Sequence, residues 1–267
     1  MNESDTRFTG SIPATYDRYL APMFFAPYAS DLAARARTLG ARRVLEVAAG
    51  TGVVTRALAA ALPDARIEAT DLNDAMVSFA ASRNPLPRVR WSAADAMALP
   101  FPDRDFDLAV CQFGVMFFPD RGRAFREARR VLAPGGTYLF NVWDGIEQND
   151  VARIVSEAAA ATFPGNPPLF MQRGPHGYSD CAAIERSLRQ SGFTRIACEA
   201  VVQRSRAPSA RDAALGVCEG TPLRHEILDR DPRRLGEVVE AATRALRSAF
   251  GDGAIDGSMR AFVFAAA

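Results

Sequence analysis

The segment Val44-Leu45-Glu46-Val47-Ala48-Ala49-Gly50-Thr51-Gly52 constrains this chain more than any other. A short apolar run reads as a strand, five small residues turn the chain, and alanine-rich Thr51–Leu62 continues as a helix that stops at Pro63. Small residues let a backbone approach a ligand closely. The helix start beyond them presents N–H groups with no intrahelical partner. A strand entering a helix this way is half of a βαβ unit, which needs parallel partners elsewhere in the sequence.

Those partners recur at short intervals. Arg66–Thr70, Val89–Ala93, Phe106–Cys111 and Thr137–Val142 read as strands, the near-continuous apolar runs of a sheet buried on both faces. Asn73–Ser82, with Asn73 as N-cap, and Arg121–Leu132 read as the helices between them, the latter stopping at Ala133-Pro134-Gly135-Gly136. Upstream, Asp17–Leu39 has helical spacing, with Pro22 and Pro27 expected to break its first part. Downstream the alternation loosens. Val151–Thr162 is helical, Phe163–Tyr178 is a Pro- and Gly-rich functional loop, Asp180–Gln190 is a helix and Phe193–Val202 a strand. Ala207–Phe250 is mostly helical, and Met259–Ala266 closes as a strand. The expected organisation is an N-terminal helical segment (1–40), a core (41–142, 180–202, 259–267) and two inserts, 143–179 and 203–258, capping the sheet's C-terminal edge.

Composition removes several classes of chemistry. The 267 residues carry 32 basic and 31 acidic side chains, so no overall field favours nucleic acid. Every basic residue is Arg, which excludes Schiff-base lysine chemistry and a P-loop lysine. Two histidines are too few for a histidine-based zinc site, and no metal site is expected. No run approaches the ~20 apolar residues of a membrane span. The first ten residues hold two acids and no apolar run, against a signal peptide. Cys111, Cys181, Cys198 and Cys218 form no CxxC pair, which favours reduced thiols and a cytoplasmic location.

Three acids fall at successive strand ends: Glu46, Asp71 and Asp95. In open α/β sheets this edge binds ligands. Asp71, about 20 residues past the glycine turn, suits ribose hydroxyls. Asp95 can accept from an adenine amino group, with Met97 against the ring and Leu72 and Met76 as the other wall. Glu46 stands where a dinucleotide fold would place phosphate, and so suits a cationic ligand. A nicotinamide-dependent oxidoreductase is disfavoured by Glu46 and by Thr55 at the third glycine position. Each acid taken alone is equally well an N-cap or turn residue.

Together, VLEVAAGTG, the ATD ending at Asp71, AADAMALPFPDRDFD around Asp95 and EARRVLAPGG before a strand resemble class I S-adenosylmethionine-dependent methyltransferases, within the group similar to the ubiquinone/menaquinone-biosynthesis enzymes. The likeness is strong over 44–142 and weaker over 178–202. It implies a Rossmann-like, doubly wound, seven-stranded, mostly parallel α/β sheet with an antiparallel last strand. It implies S-adenosyl-L-methionine as cofactor and S-adenosyl-L-homocysteine as product. By position, Glu46, Ala48, Gly50 and Gly52 would line the methionine end, Asp71 the ribose, Asp95 and Ala96 the adenine, and Gln112 and Phe113 the reactive methyl. Tyr16 and Tyr19 resemble the lid of such enzymes. One departure is Ala48, where the fuller pattern has its first Gly.

The capping inserts suggest a small, mostly apolar acceptor; a homodimer is left open. A sulfonium methyl is already activated, so alignment and exclusion of water are the main requirements. His176 and His225 are the candidate bases, though a turn residue and a solvated helix residue are the stronger readings. Phe117, Trp143 and Phe170 are candidates for an apolar acceptor wall. The arginines of 121–130 read as a solvated helix face. A non-catalytic S-adenosylmethionine- or nucleoside-binding module is the alternative.

Overall fold

The computed structural model describes residues 12–83 and 85–267. Residues 1–11 of the expected N-terminal segment 1–40 lie outside the described residues. The chain forms two compact units: one of Tyr28–Val142, Ser179–Val201 and Ala261–Ala267, the other running up to Pro27 and adding Trp143–Tyr178 and Val202–Arg260.

Seven strands form one sheet, β1 (Arg43–Val47), β2 (Arg66–Asp71), β3 (Val89–Ala93), β4 (Phe106–Gln112), β5 (Leu132–Trp143), β6 (Ile196–Ala207) and β7 (Ile255–Ala266), in the order β3-β2-β1-β4-β5-β7-β6. The first five are parallel; Glu46 of β1 faces Ala69 of β2 and Val110 of β4. The far end is antiparallel. Phe140 stacks on Phe264 while the Asp144 N–H reaches the Arg260 carbonyl, so β7 numbering falls as β5 numbering rises. Likewise Arg195 pairs with Ala267, and the Ser205 hydroxyl with the Gly257 carbonyl.

The predicted stop at Ala133–Gly136 lies inside β5. Phe106 pairs with Leu132 but Leu108 with Thr137, so the extra residues bulge out, with Gly135 at φ +83°. The strand expected from Phe193 begins at Ile196, because Gly192 turns the preceding helix off in the left-handed region.

The sheet's two faces pack differently. On one, Val44, Ile67, Leu108, Val110 and Leu139 meet Ala29, Leu32, Ala33, Ala36, Val54 and Leu58 from the helices Ala26–Leu39 and Val53–Ala61. On the other, Tyr138 stacks on Phe140 at 4.8 Å and Phe140 on Phe264 at 4.9 Å, with Phe125 of the helix Arg121–Val131 against both. Each such ring buried contributes roughly 1.5–3 kcal/mol.

In the second unit, the helices Asp150–Thr162, Ala210–Glu219 and Leu235–Phe250 pack together. Ahead of them, Pro22 does not break its helix. Tyr16–Phe25 is a π-helix in which the Ala26 N–H reaches the Ala21 carbonyl, and it passes straight into Ala26–Leu39. The wider π register tolerates the missing proline N–H, and Pro27 sits in the first α-turn, where no donor is needed. This π-helix lies on Ala210–Glu219 at Gly216, where a Cβ would come within 3.0 Å of Tyr19 Cβ. Phe163–Tyr178 includes a short helix, Phe170–Arg173, whose opening N–H groups are taken by the buried Glu226 carboxylate: Leu169 at 2.8 Å and Phe170 at 3.2 Å, with the Arg173 guanidinium at 2.6 Å. No described helix is long and apolar enough to cross a membrane.

Candidate active site

The sheet unit gathers Glu46, Ala48, Gly50, Gly52, Asp71, Asp95, Ala96, Gln112 and Phe113 around the C-terminal ends of β1 to β4. The turn after β1 repeats left-handed backbone at Ala48 (φ 57°), Gly50 (φ 56°) and Gly52 (φ 82°). Only Ala48 carries a side chain there, at a cost of about 1–2 kcal/mol. The space for its methyl is made by Gly114: a Cβ added at Gly114 would lie 2.6 Å from Ala48 Cβ and 2.7 Å from Cys111 Sγ. The departure at Ala48 is thus matched by a glycine from the β4 loop.

The turn is held from β2. Asp71 accepts from the Gly50 N–H at 2.9 Å through Oδ2 and from the Asn73 N–H at 2.9 Å through Oδ1. The Ala49 N–H donates to the Thr70 carbonyl at 2.9 Å. Burial raises the Asp71 carboxyl above its ordinary value, and its backbone donors oppose the shift. Each oxygen keeps further lone-pair capacity for a ligand hydroxyl. Asp95 is not itself at a strand end. It lies two residues past β3, where it accepts from the Met97 N–H at 2.8 Å and its carbonyl takes the Ala98 N–H. Ala96 and Met76 are buried and Leu72 is exposed. The next stretch is fixed by Arg130, which donates to the Leu99 and Phe101 carbonyls and pairs with Glu127 and Asp103. Arg130 is therefore a clamp, not part of a solvated face.

Glu46 carries the strongest electrostatic feature. It is 1% exposed, and its Oε2 has no hydrogen-bond partner among the described residues. Burial pushes the carboxyl up to about 8; Thr55 opposes this, Asp71 adds to it, and Arg56 opposes it weakly. A buried acceptor in this condition is costly unless a donor arrives. Thr55, read in the sequence only as a missing glycine, faces this carboxylate from the following helix. Gln112 ends β4, and Phe113 follows at φ 52°, its N–H held by the Asn141 side-chain oxygen at 2.9 Å and its ring edge-on to Tyr28 at 5.2 Å. Phe117 closes the short helical turn Val115–Phe117.

Tyr16, Trp143, Phe170, His176 and His225 belong to the other unit. Tyr16 stacks on Phe25 at 4.8 Å, and Phe24 and Phe25 meet Trp143 edge-on at 6.0 and 6.1 Å. Phe170 is 1% exposed. His176 does stand in a turn, and it is buried, with Nδ1 2.8 Å from the Asp144 carbonyl and its ring 6.0 Å from that of Trp143. Burial pulls it down to about 4, so it is neutral at pH 7, Nδ1–H donates, and Nε2 keeps its lone pair. Nothing in the residue pattern marks this burial, or the Asp144–Arg260 ion pair beside it.

The methyltransferase domain family matches residues 44–136, the segment that builds this edge. The ubiquinone/menaquinone biosynthesis C-methyltransferase of Methylobacterium nodulans is 42% identical over 126 residues, 46% of this chain and 50% of the relative. A malonyl-[acyl-carrier protein] O-methyltransferase of Halorhodospira halophila is 41% identical over 100 residues, 37% of this chain and 34% of the relative. The chain thus spans half or less of these relatives' length. Among solved structures, the phosphoethanolamine N-methyltransferase 2 of Haemonchus contortus, in complex with S-adenosyl-L-methionine, shares the fold at TM-score 0.58 and 17% identity, over 100% of this chain and 60% of that one. On the sheet order, the strand-end geometry and these likenesses, residues 44–136 match the methyltransferase domain family, and the chain has the fold of the solved methyltransferase it resembles.

Proposed function

We propose that the protein transfers the methyl group of S-adenosylmethionine to a small, mostly apolar metabolite. The observation that carries this is the buried, unpartnered Glu46 Oε2 beside the Ala48–Gly52 turn. It fits a ligand that brings an ammonium group and no phosphate. Glu46 would hold that ammonium, Asp71 the ribose hydroxyls and Asp95 the adenine amino group, with Met76, Ala96 and Met97 against the ring. When bound, the cofactor supplies a methyl already activated on sulfur. The chain's own work is then to orient the acceptor in line and exclude water, through Gln112, Phe113 and Phe117 of the sheet unit. Residues 143–179 and 203–258, with Trp143 and Phe170, select the acceptor. His176 has the lone pair a base requires, and the reaction on an acceptor without an acidic proton runs without it.

Likeness to both a C- and an O-methyltransferase leaves the acceptor atom to experiment. Calorimetry should show binding of S-adenosylmethionine and S-adenosylhomocysteine and none of NAD. A labelled-methyl screen over a metabolite extract should then transfer label to a small apolar compound. Binding without any transfer would instead establish a non-catalytic module, and binding of NAD alone would end the assignment.

A further inference from the structure

Two of the four cysteines are brought together by the fold although they stand 17 positions apart in sequence. Cys181 opens the helix Cys181–Gln190, and Cys198 lies on β6, the edge strand of the sheet. Their sulfurs are 3.2 Å apart, with the Cys198 S–H directed at Cys181 Sγ. Cys198 is exposed and Cys181 half-buried, so a small oxidant in solution can reach them. The other two differ in access: Cys111 and Cys218 are fully buried, out of reach of such an oxidant.

We infer that Cys181 and Cys198 form a reversible dithiol/disulfide couple, oxidised by small-molecule disulfides of the glutathione type. This does not rest on the methyltransferase reading. A disulfide needs its sulfurs at ~2.05 Å, about an ångström closer than they stand, within reach of side-chain rotation. The step balances as an exchange. The Cys181 thiolate attacks one sulfur of oxidised glutathione and expels a glutathione thiolate, which takes a proton. The Cys198 sulfur, losing its proton to solvent, then attacks the mixed disulfide at Cys181 and expels the second glutathione. Two protein thiols are oxidised and one glutathione disulfide is reduced to two thiols. The order of attack follows the hydrogen bond, in which Cys181 is the acceptor. The partial burial of the Cys198 sulfur and its bond to Cys181 hold that thiol up to about 12, which suits the resolving role. The product would tie the start of a helix to the sheet's edge strand.

The test treats the whole folded protein with oxidised glutathione, alkylates remaining thiols without denaturant, and maps peptides by mass spectrometry. The expected result is one intramolecular Cys181–Cys198 linked peptide, the protein two hydrogens lighter, with Cys111 and Cys218 unmodified and full reversal by dithiothreitol. Cys198→Ser, at an exposed position, should stop at a stable glutathione adduct on Cys181. Free alkylation of both thiols after oxidation, links only between two chains, or a Cys198→Ser protein that takes up no glutathione at Cys181 would each overturn the inference.

Discussion

The Glu46→Gln substitution should change stability and cofactor binding in opposite directions, each with its own pH dependence. The carboxyl stands at about 8 in the folded protein against an ordinary 4.5. Between those values the folded chain holds a proton that the unfolded chain has lost. The associated stability is therefore complete below 4.5 and is lost as pH rises through 8, at about 1.4 kcal/mol per pH unit and up to about 5 kcal/mol in all. Glutamine imitates the protonated form, so the variant should match wild type near pH 5 and exceed it by a few kcal/mol at pH 9, read by urea denaturation. Binding goes the other way. A hydrogen bond to a charged group contributes about 1.5–3 kcal/mol. At pH 7 only about a tenth of Glu46 is ionised, so ionising it costs about 1.4 kcal/mol of that gain. At pH 8.5 about three-quarters is ionised, and the affinity advantage of wild type over Glu46→Gln for S-adenosylhomocysteine should grow about eightfold between the two. Calorimetry at both pH values reads this ratio. A ratio that stays flat or shrinks would refute the idea that Glu46 receives the ligand's cation.

Asp71→Asn should lose about 1–3 kcal/mol in urea denaturation even without ligand, because an amide NH2 would face one of two backbone donors, from Gly50 or Asn73; an unchanged midpoint would argue against the anchoring role. Gly114→Ala should cost about 1–3 kcal/mol by overpacking against Ala48 and Cys111, and adding Ala48→Gly should recover part of the loss; strictly additive effects would show that the two positions do not share space. His176→Ala and His225→Ala should each keep methyl transfer within about tenfold of wild type, below the ~10²–10⁴-fold of a positioned base. A thousandfold loss at either, with normal cofactor binding, would make that histidine the base.

Much of the sheet was legible because a parallel strand buried on both faces leaves an apolar run between turn residues, as β1 and β4 do; β3, expected to be buried likewise, is instead the edge strand and has no fully buried residue. What the sequence hid were cases where tertiary context overrules a local rule. Pro22 breaks an α-helix but fits a π-register; the helix before Ala133–Gly136 does stop, at Val131, but the strand expected from Thr137 already starts at Leu132 and carries those residues as a bulge. At the site, the three acids were readable from their spacing after the strands. Their division of labour was not: Asp71 braces the turn through both oxygens, while Glu46 is left with an open one. The nearness of Cys181 to Cys198 was equally invisible, since it depends on how β6 runs beside a helix start.

The contrast between the two faces of the sheet also governs how this sequence can drift. On the face built around Ala29, Ala33, Ala36 and Ala69 the helices lie close because the side chains are small, so any enlargement forces backbone apart. On the face built around Phe125, Tyr138, Phe140 and Phe264 the volume is already filled by rings, so any reduction opens a cavity. Neutral change is therefore confined in opposite directions on the two sides of one strand. Neighbouring residues such as Tyr138 and Leu139 answer to different volume limits, and the tolerated substitutions along β5 alternate with the pleat.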